Sequence, residues 1–211
     1  SRAHVARSID YCRRVGALLY TVHPGFLSDP TAPSRGTNNY DFLFADASVD
    51  GATYERAYTR MLDSLAWATA AAADAGVRIA IETEGSVAKQ DRLLMQRPEE
   101  FERLFTRFSP EALGISLNIG HLRLASEAFG FAPSVLVDTV ADYVVAFELS
   151  HNDGVTDDHR PLLPGAWYWD VVTDARFVDA FKILEFRNVT PDAVVANVAL
   201  LHKYLAGGMN L

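Results

Sequence analysis

The chain has 211 residues, 49% of them hydrophobic and 22% charged, the make-up of one globular domain. A formal net charge of -8, with no Lys/Arg cluster beyond Arg13-Arg14, argues against nucleic acid as a partner, because a basic surface is needed to neutralise phosphates. No apolar run reaches the roughly 18 residues of a membrane span, no signal peptide opens the chain, and the single cysteine, Cys12, excludes an internal disulfide and fits a reducing, cytoplasmic setting.

The pattern predicts a helix over 2–15, with Val5, Ile9, Cys12 and Val15 at helical spacing and Gly16 as its stop. A strand over 17–22 follows and ends in His23-Pro24-Gly25. Residues 26–50 are polar and rich in Pro, Gly and Asn without clear periodicity, and they are expected to form a lid loop. A long helix over 54–75 stops at Gly76, and a strand over 77–81 ends in Glu82-Thr83-Glu84-Gly85. Pro98 opens a helix to Phe108, with Glu99 and Glu100 in its first turn. A strand over 113–117 ends in Asn118-Ile119-Gly120-His121. Pro133 opens a helix to about Ala141, and the apolar run 143–149 is a strand ending in Ser150-His151-Asn152-Asp153. A loop over 150–166, a short helix within 167–177, a strand over 180–184 ending at Glu185, and a helix from Pro191 to about Leu205 complete the chain.

Strict alternation of strand and helix predicts a parallel α/β sheet, in which all strand C-termini share one face. Each of the five strands ends in His or Glu, or in Asn with a nearby His. His23, Glu82, Asn118, His121, His151, Asp157, His159 and Glu185 therefore make a converging set of nitrogen and oxygen donors. Such mixed sites suit one divalent ion such as Mn, Mg, Co or Zn. A bound cation also shifts nearby pKa values, so Glu82 and Glu185 are the natural acid–base pair. Glu84 reads either as a further acid of the site or as the start of a solvated loop. Trp167, with Tyr168 and Trp169, reads as an apolar wall for a ligand or as packing. Arg187 reads as an anion contact or a surface pair. No Gly-rich phosphate loop, CxxC pair or nucleophile elbow is present.

Taken together, these pieces resemble the xylose-isomerase-like TIM-barrel superfamily, which includes sugar isomerases and epimerases and family-2 AP endonucleases. The matching segments are Val22-His23-Pro24-Gly25, Ile79-Ala80-Ile81-Glu82, Leu117-Asn118-Ile119-Gly120-His121, the His151-Asn152-Asp153 strand end, Asp157-Asp158-His159 with Pro161-Leu162 and Gly165, and Ile183-Leu184-Glu185. The resemblance implies a (β/α)8 barrel in which residues 1–211 are a single domain corresponding to strands four to eight. The first three strands are not represented, so either an upstream segment of roughly 70–90 residues or a further copy of the chain is expected to complete the sheet. It implies metal ligation by Glu82, Asn118, His151 and Glu185, catalysis by Glu82, Glu185 and His121, a substrate contact from His121, and a place for His23 in the lining of the site. Substrate contacts are further expected from Asp157, His159, Trp167 and Arg187. In the endonuclease branch, His23, His121, Asp157 and His159 correspond to additional zinc ligands.

Asn118 departs from this pattern, where Asp is usual. Its amide brings no charge, so weaker metal binding is expected. The resulting expectation is a divalent-metal-dependent isomerase or epimerase of a sugar or sugar-like polyol ketone, working through an enediolate, with a lyase or dehydratase as a close variant. Two other readings stand beside it: a zinc phosphodiesterase of the AP-endonuclease type, and a barrel subunit that has lost full metal ligation.

Overall fold

The computed structural model describes residues 2–27, 30–33, 42–44, 49–85 and 93–207. Helices α1 (Arg2–Val15), α2 (Gly51–Asp74), α3 (Pro98–Phe105), α4 (Ile119–Phe129), α5 (Pro133–Val140), α6 (Trp169–Val172) and α7 (Pro191–Gly207) alternate with strands. Strands β1 (Leu19–Val22), β4 (Arg78–Glu82), β5 (Leu113–Asn118), β6 (Val144–Leu149) and β7 (Phe181–Leu184) form one sheet in that spatial order. All four pairings are parallel, and the five strands with their helices make a half-barrel.

The central strands are apolar on both faces because both are covered. Every residue of β5 is buried, as are Ile79 to Glu82 of β4. Gly114 of β5 faces the crowded interior. A Cβ there would come within 2.5 Å of Val145 Cγ2 and 3.3 Å of Ala80 Cβ. Helix α2 begins at Gly51, three residues before the start read from its periodicity, because Asp50 caps it by accepting a hydrogen bond from Thr53 N at 2.7 Å. It buries Tyr58, Met61, Leu65, Ala68 and Ala72, the spacing of one helical face.

Three elements, one helix and the two strands of a small hairpin, were not read from the sequence. Helix α4 starts directly at the end of β5, where only a strand end and loop were expected. Within the segment expected to be a structureless lid, β2 (Pro30–Pro33) pairs antiparallel with β3 (Phe42–Phe44). The remainder of the lid reading lies largely outside the described residues. Among the described residues no helix is long and apolar enough to cross a membrane.

Candidate active site

The parallel register brings the strand ends together. Glu82 pairs with Ser116 across β4 and β5, and Asn118 pairs with Glu148 across β5 and β6. Glu185 follows β7, with its backbone N–H donating to Leu149 O at 3.1 Å. Carboxylate oxygens of Glu82, Glu148 and Glu185 all lie within 4.8 Å of one another. Glu82 and Glu148 are buried, whereas the Glu185 side chain is 43% exposed and opens the cluster to solvent.

Asn118 organises this cluster without adding a charge. Its Oδ1 accepts from His121 N at 3.0 Å and caps α4. The amide nitrogen is thereby turned to the acids, donating to Glu82 Oε1 at 2.8 Å and Glu185 Oε2 at 3.3 Å. His121 is buried, with Nδ1 2.8 Å from Thr83 O and 3.1 Å from Glu82 Oε1. Its Nε2 lies 3.1 Å from Asp157 Oδ2. His159 Nε2 approaches the same Asp157 oxygen at 3.2 Å, and its Nδ1 lies 3.4 Å from Glu185 Oε2. His121, Asp157 and His159 form a second set of ligand-type atoms within 4.8 Å of one another. His159 is left-handed, with φ 47°, a conformation rare for a non-glycine residue and found where local structure forces it.

Burial and charge pull these groups apart in pKa. Burial would raise Glu82, but hydrogen bonding and charge from His121, with help from His23 and Asn118, outweigh it and hold Glu82 well below the usual carboxylate range. Glu148 goes the other way. Burial raises it first, and the nearby Glu82 and Glu185 charges add to that, more than offsetting the hydrogen bond from Ser116 Oγ at 2.8 Å. Burial likewise opposes the charged form of Asp157, yet His121 and His159 keep it far below the normal range. His159 is raised to about 9, because Asp157 and Glu185 outweigh the burial that would lower it.

Glu84 is an integral part of the site rather than the start of a solvated loop. It is only 3% exposed, and its Oε1 accepts from His23 Nδ1 at 2.8 Å. His23 is raised to about 9 chiefly by that bond, and its other nitrogen lies 3.4 Å from Glu82 Oε2. Its side chain is 65% exposed and lines the open mouth. Glu84 N donates to Met95 O at 3.1 Å, and a Cβ on Gly85 would fall 2.5 Å from His121 O, so this turn lies flat against the start of α4.

The structure therefore brings together Glu82, Asn118, His121, Asp157, His159, Glu185 and His23 of the residues singled out in the sequence. His151 lies apart. Its backbone bridges to Arg160 and its ring stands 6.1 Å from Tyr168. Side chains alternate along an extended chain, so Glu148 and His151 face opposite ways, and Glu148 joins the cluster instead. Trp167 lies beside Tyr168 and lines a cavity with Arg123, Asp170 and Arg176, none of which belongs to the glutamate cluster. Arg187 meets the site through its backbone, donating to His159 O at 3.0 Å.

Residues 1–198 match the family model described as a xylose isomerase-like TIM barrel. Among curated proteins, none matches this chain. Solved structures do. A D-tagatose 3-epimerase-like protein superposes with a TM-score of 0.72 at 16% identity, over 95% of this chain and 67% of that one. A Thermus thermophilus protein soaked with zinc chloride gives 0.64 at 17% identity, over 96% of this chain and 67% of that one. A xylose isomerase-like TIM barrel protein from Mycobacterium smegmatis, in complex with magnesium, gives 0.65 at 15% identity, over 98% of this chain and 67% of that one. The chain thus spans about two thirds of each, and at these identities the likeness is one of fold.

Proposed function

Because this chain belongs to the xylose isomerase-like TIM barrel family, we propose that it is a divalent-metal-dependent isomerase or epimerase of a sugar or sugar-like polyol ketone. The observation that carries this reading is the trio Glu82, Glu148 and Glu185, whose oxygens lie within 4.8 Å of one another. The donor chemistry fits an ion. Like charge and burial hold Glu148 above its ordinary pKa, and a cation among the three carboxylates would relieve that repulsion. Glu82, Glu148 and Glu185 would hold it, with Asn118 orienting two of them through its amide nitrogen. Of Mn, Mg, Co and Zn, an all-oxygen set best suits Mg or Mn. When bound, such an ion supplies positive charge that lowers the cost of negative charge developing on a substrate oxygen.

The protein's own groups divide the remaining work. Glu82 is ionised at neutral pH and able to take a proton from the carbon beside a ketone, leaving an enediolate. Glu185, on the far side of the cluster and open to solvent, delivers a proton drawn from water to the enediolate, and Glu82 gives up to water the one it took. Return at the same carbon from the opposite face epimerises, and return at the neighbouring carbon isomerises. His121, with both ring nitrogens already engaged, keeps Glu82 in position and ionised. His23 lines the mouth with Nδ1 bound to Glu84, and its Nε2, 3.4 Å from Glu82 Oε2, is the nitrogen that a substrate hydroxyl entering beside Glu82 would meet.

The test combines metal analysis with D-tagatose in deuterated water. The expected result is one divalent ion per chain and deuterium entering the ketose, both lost in Glu185→Gln, with tighter metal binding in Asn118→Asp. A second reading, an AP-endonuclease-type zinc phosphodiesterase, draws on the His121–Asp157–His159 trio. Several zinc ions per chain with cleavage of abasic DNA, and no exchange into ketose, would favour it. No ion at saturating concentration would sink both and favour a barrel subunit without metal.

A further inference from the structure

One buried acid of the site takes no part in the proton transfers. Glu84 is more deeply set than Glu82 and stands two residues further along the same strand end. That spacing puts both side chains on one side of an extended segment. Thr83 between them is turned to β5 and α4, its Oγ1 accepting from Asn118 N at 3.0 Å and its carbonyl oxygen lying 2.8 Å from His121 Nδ1. The two carboxylates meet the two nitrogens of a single ring. Glu84 Oε1 lies 2.8 Å from His23 Nδ1, and Glu82 Oε2 lies 3.4 Å from His23 Nε2.

The ring so held is the exposed member of the three. A side chain that open to solvent ordinarily samples several rotamers. A carboxylate only accepts, so Nδ1 carries the proton in its bond to Glu84. Half a turn of the ring would put a carbon in the place of each nitrogen, losing that bond and turning Nε2 away from Glu82. Glu84 does not move with the ring. Its backbone N–H donates to Met95 O at 3.1 Å, and Met95 N donates in turn to Glu100 Oε1 at 3.1 Å. Gly25 O, two residues after His23, accepts from Leu94 N at 3.4 Å. Both partners are therefore tied to the turn before α3.

We propose that Glu84 is a positioning residue, which holds His23 with Nε2 facing the gap beside Glu82, where that nitrogen binds an oxygen of the substrate. The substrate end rests on the function proposed above, and the hold on the ring stands without it. The geometry limits which oxygen is bound. Nε2 and Glu82 Oε2 are only 3.4 Å apart. An oxygen within hydrogen-bond reach of the first, roughly 2.6–3.2 Å, and a C–H facing the second then belong to the same carbon or to adjacent ones. A polyol ketone carries oxygen on the carbon that loses its proton and on both neighbours. A ring oriented before binding removes an ordering cost that the substrate would otherwise meet, so the gain falls on binding rather than on proton transfer.

The test sets Glu84→Leu, Glu84→Gln, His23→Ala and Glu84→Leu combined with His23→Ala beside the wild-type chain, all with magnesium. Leucine removes the acceptor while filling the buried space, and glutamine keeps an acceptor oxygen. In NMR of isotope-labelled protein, the Nδ1–H signal of His23 is the one absent from His23→Ala. It should exchange slowly with water in the wild type, disappear in Glu84→Leu and persist in Glu84→Gln. Deuterium entry into D-tagatose should show KM raised about tenfold in Glu84→Leu, with kcat and magnesium affinity little changed. The combined variant should be no worse than His23→Ala alone, because Glu84 acts through that ring. A freely exchanging Nδ1–H in the wild type, or one that survives Glu84→Leu, would overturn the proposal. So would effects of the two substitutions that multiply, or a fall in kcat with weakened magnesium binding, which would make Glu84 a support of the glutamate cluster. If the wild type exchanges no deuterium into D-tagatose while the Nδ1–H signal still depends on Glu84, the isomerase reading falls and the hold of Glu84 on His23 stands.

Discussion

Among single residues the charge balance of the site turns on Glu148. Its folded pKa is raised, so the stability it contributes is complete below its unfolded value near 4.5 and is lost as pH rises and it ionises among other carboxylates. His159 has the same sign, with a contribution complete below 6.5 and lost as pH rises through about 9. Glu82 is lowered and works oppositely, losing its contribution as pH falls below its unfolded value of 4.5. Metal-free protein should therefore lose stability progressively from weakly acid to alkaline pH, measured as Tm in chelator. Glu148→Gln, which keeps an acceptor for Ser116, should remove the first of these losses. At pH 8 it should stabilise the metal-free protein by about 1–3 kcal/mol, and it should weaken metal binding. The same residue marks where sequence reading stops. Glu82 and Glu185 announce themselves as polar residues at the ends of apolar runs, His121 follows another such run closely, and Asp157 and His159 stand out as donor types in the loop after a fourth. Glu148 is hidden inside such a run, and the more conspicuous His151 three residues on falls on the other face. Asn118 is legible as a residue type, but which end of its amide faces the acids depends on α4 starting beside it.

At the scale of elements, the turn before α3 is built on a buried carboxylate. Glu100 Oε1 accepts from Met95 N at 3.1 Å and Tyr54 Oη at 2.7 Å, while Oε2 accepts from Gln96 N at 2.7 Å and Arg97 N at 2.8 Å. Met95, at φ 65°, is held left-handed there. Four donors converge on two oxygens, so Glu100→Gln leaves an amide N–H₂ facing donors. A loss of about 1–3 kcal/mol in chemical denaturation is expected, with no change in metal stoichiometry. Strands and the longer helices were readable because burial on two faces or on one stripe leaves a period in the sequence. Helix α4 left none: Gly120 in its first turn and the abrupt start at Asn118 resemble a loop. There, Ser150 Oγ would be 2.9 Å from a Cβ on Gly120, so the glycine reflects close packing rather than a break.

Over the whole molecule, the half-barrel has an unequal pair of edges. Its first edge, β1, is half-buried along its length, whereas β7 exposes Phe181 at 50% and Ile183 at 41%. An exposed apolar strip on an edge strand invites association and binds apolar dyes. Phe181→Lys with Ile183→Lys should lower the fluorescence of an apolar dye and reduce self-association in light scattering. Both changes are on the surface, and each is expected to shift stability by no more than about 0.5 kcal/mol. The parallel sheet itself was legible from the alternation of elements. Which face of β7 meets solvent was not, since Phe-Lys-Ile-Leu carries no clear two-residue contrast in its apolar positions.

The contacts of the site close on themselves. From Glu82 they pass through Asn118 to Glu185, on to His159, Asp157 and His121, and back to Glu82, with no link longer than 3.4 Å. This belt fastens the edge of the sheet and the 157–159 segment to strands two and three places inward. Opened at one link, it should free the margin before the centre. Asp157→Asn should therefore speed amide hydrogen exchange across 181–187, while the amides of β4 and β5 keep their protection.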